Sequence, residues 1–439
     1  MRNIIAFRFV FLVFGFAIGV VTPTVADERK QTVVKEVRLI LDPLVDEQLL
    51  PGFYLGVFDS EGLVLDVTRG KAAEAGELKP GPGVLYAVMS MTKPIVSFVA
   101  LQMIEQGKLS LEDPVSKFIP EFASLVVVEE GDLNKPQQEL ERAVTIRDLL
   151  THTSGLTYSE DIVGREEVAK LYAELGIFPL DERTDNSMSE VSDHVAALAQ
   201  LPLVGQPGQR FVYSVSIDVL GRVLEILKNQ RLNSILDELV FEPLGMDSTG
   251  FVVPKQKADR MAQMYRPRLA TYPVPGAFKQ YQPYEVGGGR INFGFKPNRL
   301  LRGGSGLISS ANDYSKFLRM LLNGGELQGK RLLSKEKVEW MFTHQLPEQL
   351  GSEALVYNFG PSTVGSGFGY GLGISTKGSG NPFVPEDHDY YFWYGAANTG
   401  FWIDREKRLI GIFMAQHIPS QYNLIPELVD VVRKLKPER

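Results

Sequence analysis

The chain has 439 residues, of which 44% are hydrophobic and 23% charged, the balance of a folded globular protein rather than a disordered or fibrous one. A formal net charge of -7 with no basic patch argues against nucleic acid as a partner. There is no cysteine, which excludes disulfides, thiolate catalysis and cysteine-ligated zinc.

The first feature in chain order is an address. Arg2 and Arg8 precede an apolar run over residues 9–21, and residues 22–26 then offer small side chains before Asp27. This is the pattern of a secretory signal peptide, residues 1–26, cut after Ala26, and the run is short of the ~20 residues that a membrane span needs. The expectation is a bacterial periplasmic or secreted protein with no stable membrane insertion after cleavage.

Residues 27–50 carry Val33, Val34, Val37, Leu39, Ile40 and Leu41 at a spacing that predicts an opening amphipathic helix. Two β-rich runs, 53–58 and 63–67, flank Asp59-Ser60-Glu61-Gly62 and predict a hairpin. Pro80-Gly81-Pro82-Gly83 breaks the chain before Val88-Met89-Ser90-Met91-Thr92-Lys93-Pro94. There Ile95, Val99 and Met103 recur at helical spacing and Gly107 supplies a stop. A helix starting in this stretch puts Ser90 at its N-terminus and Lys93 one turn on, on the same face. Pro94 costs least in a first turn. The helix dipole favours negative charge at Ser90, and a partly desolvated lysine can take the hydroxyl proton. S-x-x-K alone recurs by chance, so the rest of the chain decides its meaning.

From Gly107 to about residue 284 the strand signal fades, and helices are predicted at 145–151, 217–227 and 234–240. From about 285 strand character returns. Gly287-Gly288-Gly289 and Gly303-Gly304 read as turns or close backbone approaches, 311–322 as a helix, 368–373 and 390–393 as strands. A second hairpin pairs 401–403 with 409–415, and a closing helix covers 425–435. The order predicts an α/β (α+β) fold. An antiparallel sheet flanked by N- and C-terminal helices comes from about 27–110 and 285–439, and a mostly helical inserted subdomain from about 111–284.

Three more segments join S-x-x-K: Leu149-Leu150-Thr151-His152-Thr153-Ser154-Gly155-Leu156, Phe211-Val212-Tyr213-Ser214-Val215 and Trp393-Tyr394-Gly395-Ala396. In this order, with Pro243-Leu244-Gly245-Met246 and Gly304-Ser305-Gly306-Leu307 between them, the sequence resembles the serine β-lactamase and penicillin-binding-protein family. It is most similar to the class C-like branch, which includes β-lactamase-related carboxylesterases, over roughly residues 40–420. The resemblance implies a β-lactamase/transpeptidase-like fold with Ser90 as the acylated nucleophile and Lys93 sharing its proton. It makes Tyr213 a general base or acid whose phenol Lys93 would depress, and the amides of Ser90 and Ala396 the oxyanion hole. Val215, Trp393, Tyr394 and Gly395 would face the substrate.

Two departures from the family pattern bear on substrate. Val215 stands where Y-x-N has Asn, and Trp393 where K-T-G has Lys. Both make the pocket more apolar and favour a neutral ester over a penicillin or a D-alanyl-D-alanine peptide, while the bulk of Tyr394 would narrow it. Arg290 and Arg302, in the glycine-rich segments, are the cations left to replace the missing lysine.

No cofactor and no metal are expected. Glu386-Asp387-His388-Asp389 follows Pro385 and reads as a solvated turn, His152 reads as structural, and neither H-E-x-x-H nor G-x-S-x-G is present. The leading expectation is a secreted serine hydrolase acting on a small-molecule ester or amide. A β-lactamase or D-alanyl-D-alanine carboxypeptidase comes second. A non-catalytic cell-wall or penicillin-binding sensor comes third, because Ser90, Lys93 and Tyr213 are all in place. The sequence sets no oligomeric state.

Overall fold

The opening apolar repeat forms helix α1, Val25–Asp46, which buries Val33, Val37 and Leu41 along one stripe. This computed structural model describes residues 25–436, without 75–76, 160–163, 165, 179–189, 268–280, 284, 287–288, 291–299, 380–384 and 421. The expected leader therefore lies outside the described residues up to Thr24, as do Gly287 and Gly288. The first hairpin pairs β1, Gly52–Phe58, antiparallel with β2, Leu63–Gly70. Strand β1 is buried at every position because it is covered on both faces; β2 alternates, as a sheet edge does.

Helix α2, Thr92–Glu105, is buried from Thr92 to Met103 and runs through the core. It is followed by α3, Ile146–Leu150, α4, Ser216–Lys228, α5, Ala311–Leu322, and the short α6, Val356–Phe359. Strands β3, Ser366–Phe368, β4, Gly373–Ser375, β5, Tyr390–Gly395, β6, Thr399–Asp404, and β7, Leu409–Met414, then complete the sheet, and α7, Ile425–Arg433, closes the chain. The sheet is antiparallel, ordered β3-β4-β5-β6-β7-β1-β2, so the N-terminal hairpin docks on the C-terminal strands. Residues 368–373, expected as one strand, instead hold the reversal between β3 and β4, where Gly371 takes a φ of +88°.

The strands' two-residue period divides the core. Trp393, Phe401, Ile403, Ile410 and Ile412 pack toward the helical half around α2 and α5. Phe392, Trp402 and Phe413 face the other way, onto α1 and α7. The described helices include none long and apolar enough to cross a membrane.

Candidate active site

Ser90 lies in a 3-10 turn, Met89–Met91, and the α-helix proper begins at Thr92. Met89 has a φ of 48°, a left-handed conformation that a methionine rarely takes. Neighbouring groups hold the turn. The Thr92 hydroxyl donates to the Met89 carbonyl at 2.7 Å, and the Tyr314 hydroxyl donates to the Met91 carbonyl at 2.7 Å. Met89 and Met91 are buried while Ser90 is half-buried, so the serine is the side chain this turn turns outward.

Strand β5 closes on the same turn at Gly395. A Cβ there would lie 2.4 Å from the Val88 carbonyl oxygen, so only glycine lets the strand approach this closely. The contact carries Ala396, exposed just beyond the strand, up to the Ser90 turn.

Lys93 sits buried beneath Ser90. Its ammonium donates to Ser90 Oγ at 3.2 Å, to Tyr158 Oη at 2.8 Å and to the Gly304 carbonyl at 2.6 Å. Burial brings its pKa from 10.5 down to about 7, with Asp218 pulling it up and Arg302 pushing it down. Asp218, wholly buried on α4, accepts the Gly304 N–H at 3.0 Å and lies 3.7 Å from Arg302 Nε. Arg302 is therefore an ion-pair partner behind the lysine rather than a cation facing substrate. The side chain of Arg290 lies outside the described residues.

Tyr213 presents its ring to the lysine, with Lys93 Nζ 4.6 Å from the ring centroid. The expected depression of the phenol is not what the structure shows. Burial raises its pKa above 10, and the nearby Ser90 and Trp393 side chains offset this only in part. A dry site penalises phenolate and ammonium alike, so the lysine is the group brought into the neutral range. His152 packs its ring 4.8 Å from that of Tyr213 and accepts the Ser214 N–H on Nδ1 at 3.3 Å, which places its proton on Nε2. Burial drives its pKa well below 6.5, so it stays neutral.

The positions expected to face substrate divide. Trp393 sits on the Ser90 side, its ring 5.6 Å from that of Tyr213. Tyr394 does not: one residue along a strand reverses the face, and its hydroxyl donates to Asn423 at 2.6 Å among the residues packed toward α7. It cannot narrow the pocket from there. Val215 is wholly buried at the N-cap of α4 and offers no surface to a ligand. His388, expected in a solvated turn, is buried, with Nδ1 2.7 Å from Asp387 and Nε2 3.5 Å from Asp430. Among the described residues no group of three His, Asp or Glu could hold a metal ion.

Sequence reasoning missed Tyr158, Asp218 and the Gly304 carbonyl. Tyr158 adjoins the Thr-His-Thr-Ser-Gly-Leu segment, and Asp218 interrupts the apolar stretch Ile217, Val219, Leu220; a charge set among buried apolar neighbours is a readable signal. For the Gly304 carbonyl the signal was the Gly303-Gly304 pair, read from the sequence only as a turn or close backbone approach.

A serine, a buried near-neutral lysine and a tyrosine, gathered where an antiparallel sheet meets a helical half, are the equipment of a serine hydrolase. The chain belongs to the Beta-lactamase family, whose model matches residues 37–424. Protein Rv1367c of Mycobacterium tuberculosis is 36% identical over 344 residues, 76% of this chain and 78% of that one. Esterase EstB of Burkholderia gladioli is 29% identical over 337 residues, 73% of this chain and 74% of its own. Among solved structures, EstCE1, described as a hydrolase with promiscuous acyltransferase activity, superposes with a TM-score of 0.74 at 22% identity, over 92% of this chain and 99% of its own.

Proposed function

We propose that this protein hydrolyses carboxylic esters through an acyl-enzyme on Ser90. One observation carries the reading: a buried lysine, brought to about pKa 7, lies 3.2 Å from the serine hydroxyl. Neutral Lys93 takes the Ser90 proton as Oγ bonds to the carbonyl carbon. The N–H groups of Ser90 and Ala396 receive the developing oxyanion. As the tetrahedral intermediate collapses, the alcohol leaves with a proton returned from Lys93, and the phenol of Tyr213, held protonated by burial, relays it. Water repeats the sequence on the acyl-enzyme and frees the acid. An ester is favoured over a β-lactam or a D-alanyl peptide because Trp393 occupies the position of the carboxylate-binding lysine. EstB, named an esterase, agrees with this. The protein acts in the periplasm or outside the cell, after loss of residues 1–26.

Two measurements test this reading. A fluorophosphonate should add one label, on the peptide containing Ser90, and turnover of nitrophenyl acetate should vanish in Ser90→Ala; labelling that persists in the variant rejects the assignment. The intact mass of the exported protein should begin after Ala26, and a mature species beginning at Met1 rejects the address.

A further inference from the structure

We propose that Phe359, on α6, is a specificity-determining residue of this site, its ring packing against an apolar, ring-sized group of the ester. The proposal rests on the ester-hydrolase reading above. Phe359 is 37% exposed, yet its ring stands 5.2 Å from that of Tyr213 and 5.7 Å from that of Trp393, edge-on to the indole at 88°. Its packed side touches two residues grouped with Ser90, and its open side leaves apolar surface beside them. Phe211 and Phe368 extend this wall behind it, with ring centroids 6.2 Å from Phe359 and 5.2 Å from Trp393 respectively.

A helix as short as α6 does not hold its place by propensity. Three contacts hold it instead. Asn358 Oδ1 accepts the backbone N–H of Tyr213 at 3.0 Å. The Tyr357 hydroxyl donates to Glu166 Oε1 at 2.9 Å, and the Arg210 guanidinium covers the Tyr357 ring at 3.9 Å. Glu166 is itself buried and takes a second bond from Thr157 at 2.7 Å, next to the Tyr158 that touches Lys93. The two residues leading into Phe359 are thus tied to the elements that carry Tyr213 and Tyr158. An apolar substituent lying against Phe359 gains aromatic contact and removes exposed ring surface from water. The group can belong to the acid or to the alcohol of the ester, and two substrate series separate these cases.

In the acyl series the leaving group stays nitrophenol and the acid runs from acetate to phenylacetate. In the alcohol series the acid stays acetate and the alcohol runs from ethanol to benzyl alcohol. Phe359→Ala should lower kcat/KM for the ring-bearing member of one series by roughly tenfold or more, with its smallest member within about twofold of wild type. The series that responds identifies the side of the ester that meets the ring. Phe359→Leu, which keeps the apolar surface and guards against a folding defect, should retain most of the discrimination. Equal losses on small and large members in both series, or no change in either, overturn the proposal. Wild-type turnover that is insensitive to Phe359 defeats this inference alone, whereas wild type that cleaves no ester in either series defeats the ester reading and this proposal with it.

Discussion

Burial brings Lys93 into the neutral range, with Asp218 and Arg302 adjusting it in opposite senses, and this makes the pH–rate profile the sharpest test of the site. The fall from 10.5 to about 7 corresponds to roughly 5 kcal/mol against the ammonium. If neutral Lys93 takes the Ser90 proton, kcat/KM for nitrophenyl acetate climbs about tenfold per pH unit on the acid side and levels above about pH 8. Between pH 5 and pH 7 the neutral fraction grows from about 1% to about half, a rise of roughly fiftyfold. Two substitutions should move this limb in opposite directions. Asp218→Asn removes the charge that supports the ammonium while its side-chain oxygen can still accept the Gly304 N–H, so the limb shifts to lower pH. Arg302→Met removes the opposing cation and shifts it to higher pH. The assay is initial rate against pH for the three proteins, with thermal unfolding alongside, since each variant leaves a buried partner uncompensated. A flat wild-type profile, or both variants moving the same way, would refute the reasoning.

The same shift has a stability consequence. The folded pKa of Lys93 lies below its unfolded value, so the unfolded chain holds more protons between about pH 7 and pH 10.5, and wild-type stability should rise relative to Lys93→Met across that window. Denaturant midpoints at its two ends measure this, and a constant difference between the proteins would contradict it. Tyr158→Phe deletes a hydrogen bond to the ammonium, of a kind worth about 1.5–3 kcal/mol, and should move the acid limb to lower pH; a limb that stays in place rejects that role. Gly395→Ala puts a Cβ 2.1 Å from Thr399 Oγ1 and 2.4 Å from the Val88 oxygen. It should cost about 1–3 kcal/mol in unfolding and lower kcat more than it changes KM; a variant as stable and active as wild type shows that the approach of β5 is unimportant. Wild type should also show a higher kcat/KM for nitrophenyl acetate than for a chromogenic cephalosporin, and the reverse order would reopen the β-lactamase reading.

Much of the architecture could be read from neighbours along the chain. The hairpin at residues 52–70, the closing helix and the helix that carries Lys93 follow from apolar spacing, turn residues and a glycine stop, all local properties. The closeness of Lys93 to Ser90 is local in the same sense, since they are three residues apart, but the 3-10 turn that carries Ser90 just ahead of the helix is held in part by the distant Tyr314. What required the tertiary structure is whatever depends on which surfaces meet. Trp393 and Tyr394 are adjacent in sequence and equally aromatic, and only the packing of α1 and α7 on one side of the sheet shows that the tryptophan faces Ser90 and the tyrosine faces away. Val215 reads as a pocket residue by position and is sealed inside. The sense of the pKa coupling between Lys93 and Tyr213 was open for the same reason. A pairwise argument lets the lysine depress the phenol, whereas the folded site removes water from both, and desolvation outweighs the pair. Asp218, Arg302 and the Gly304 carbonyl reach Lys93 from segments far along the chain, and burial and electric field at a point are sums over the whole packed structure.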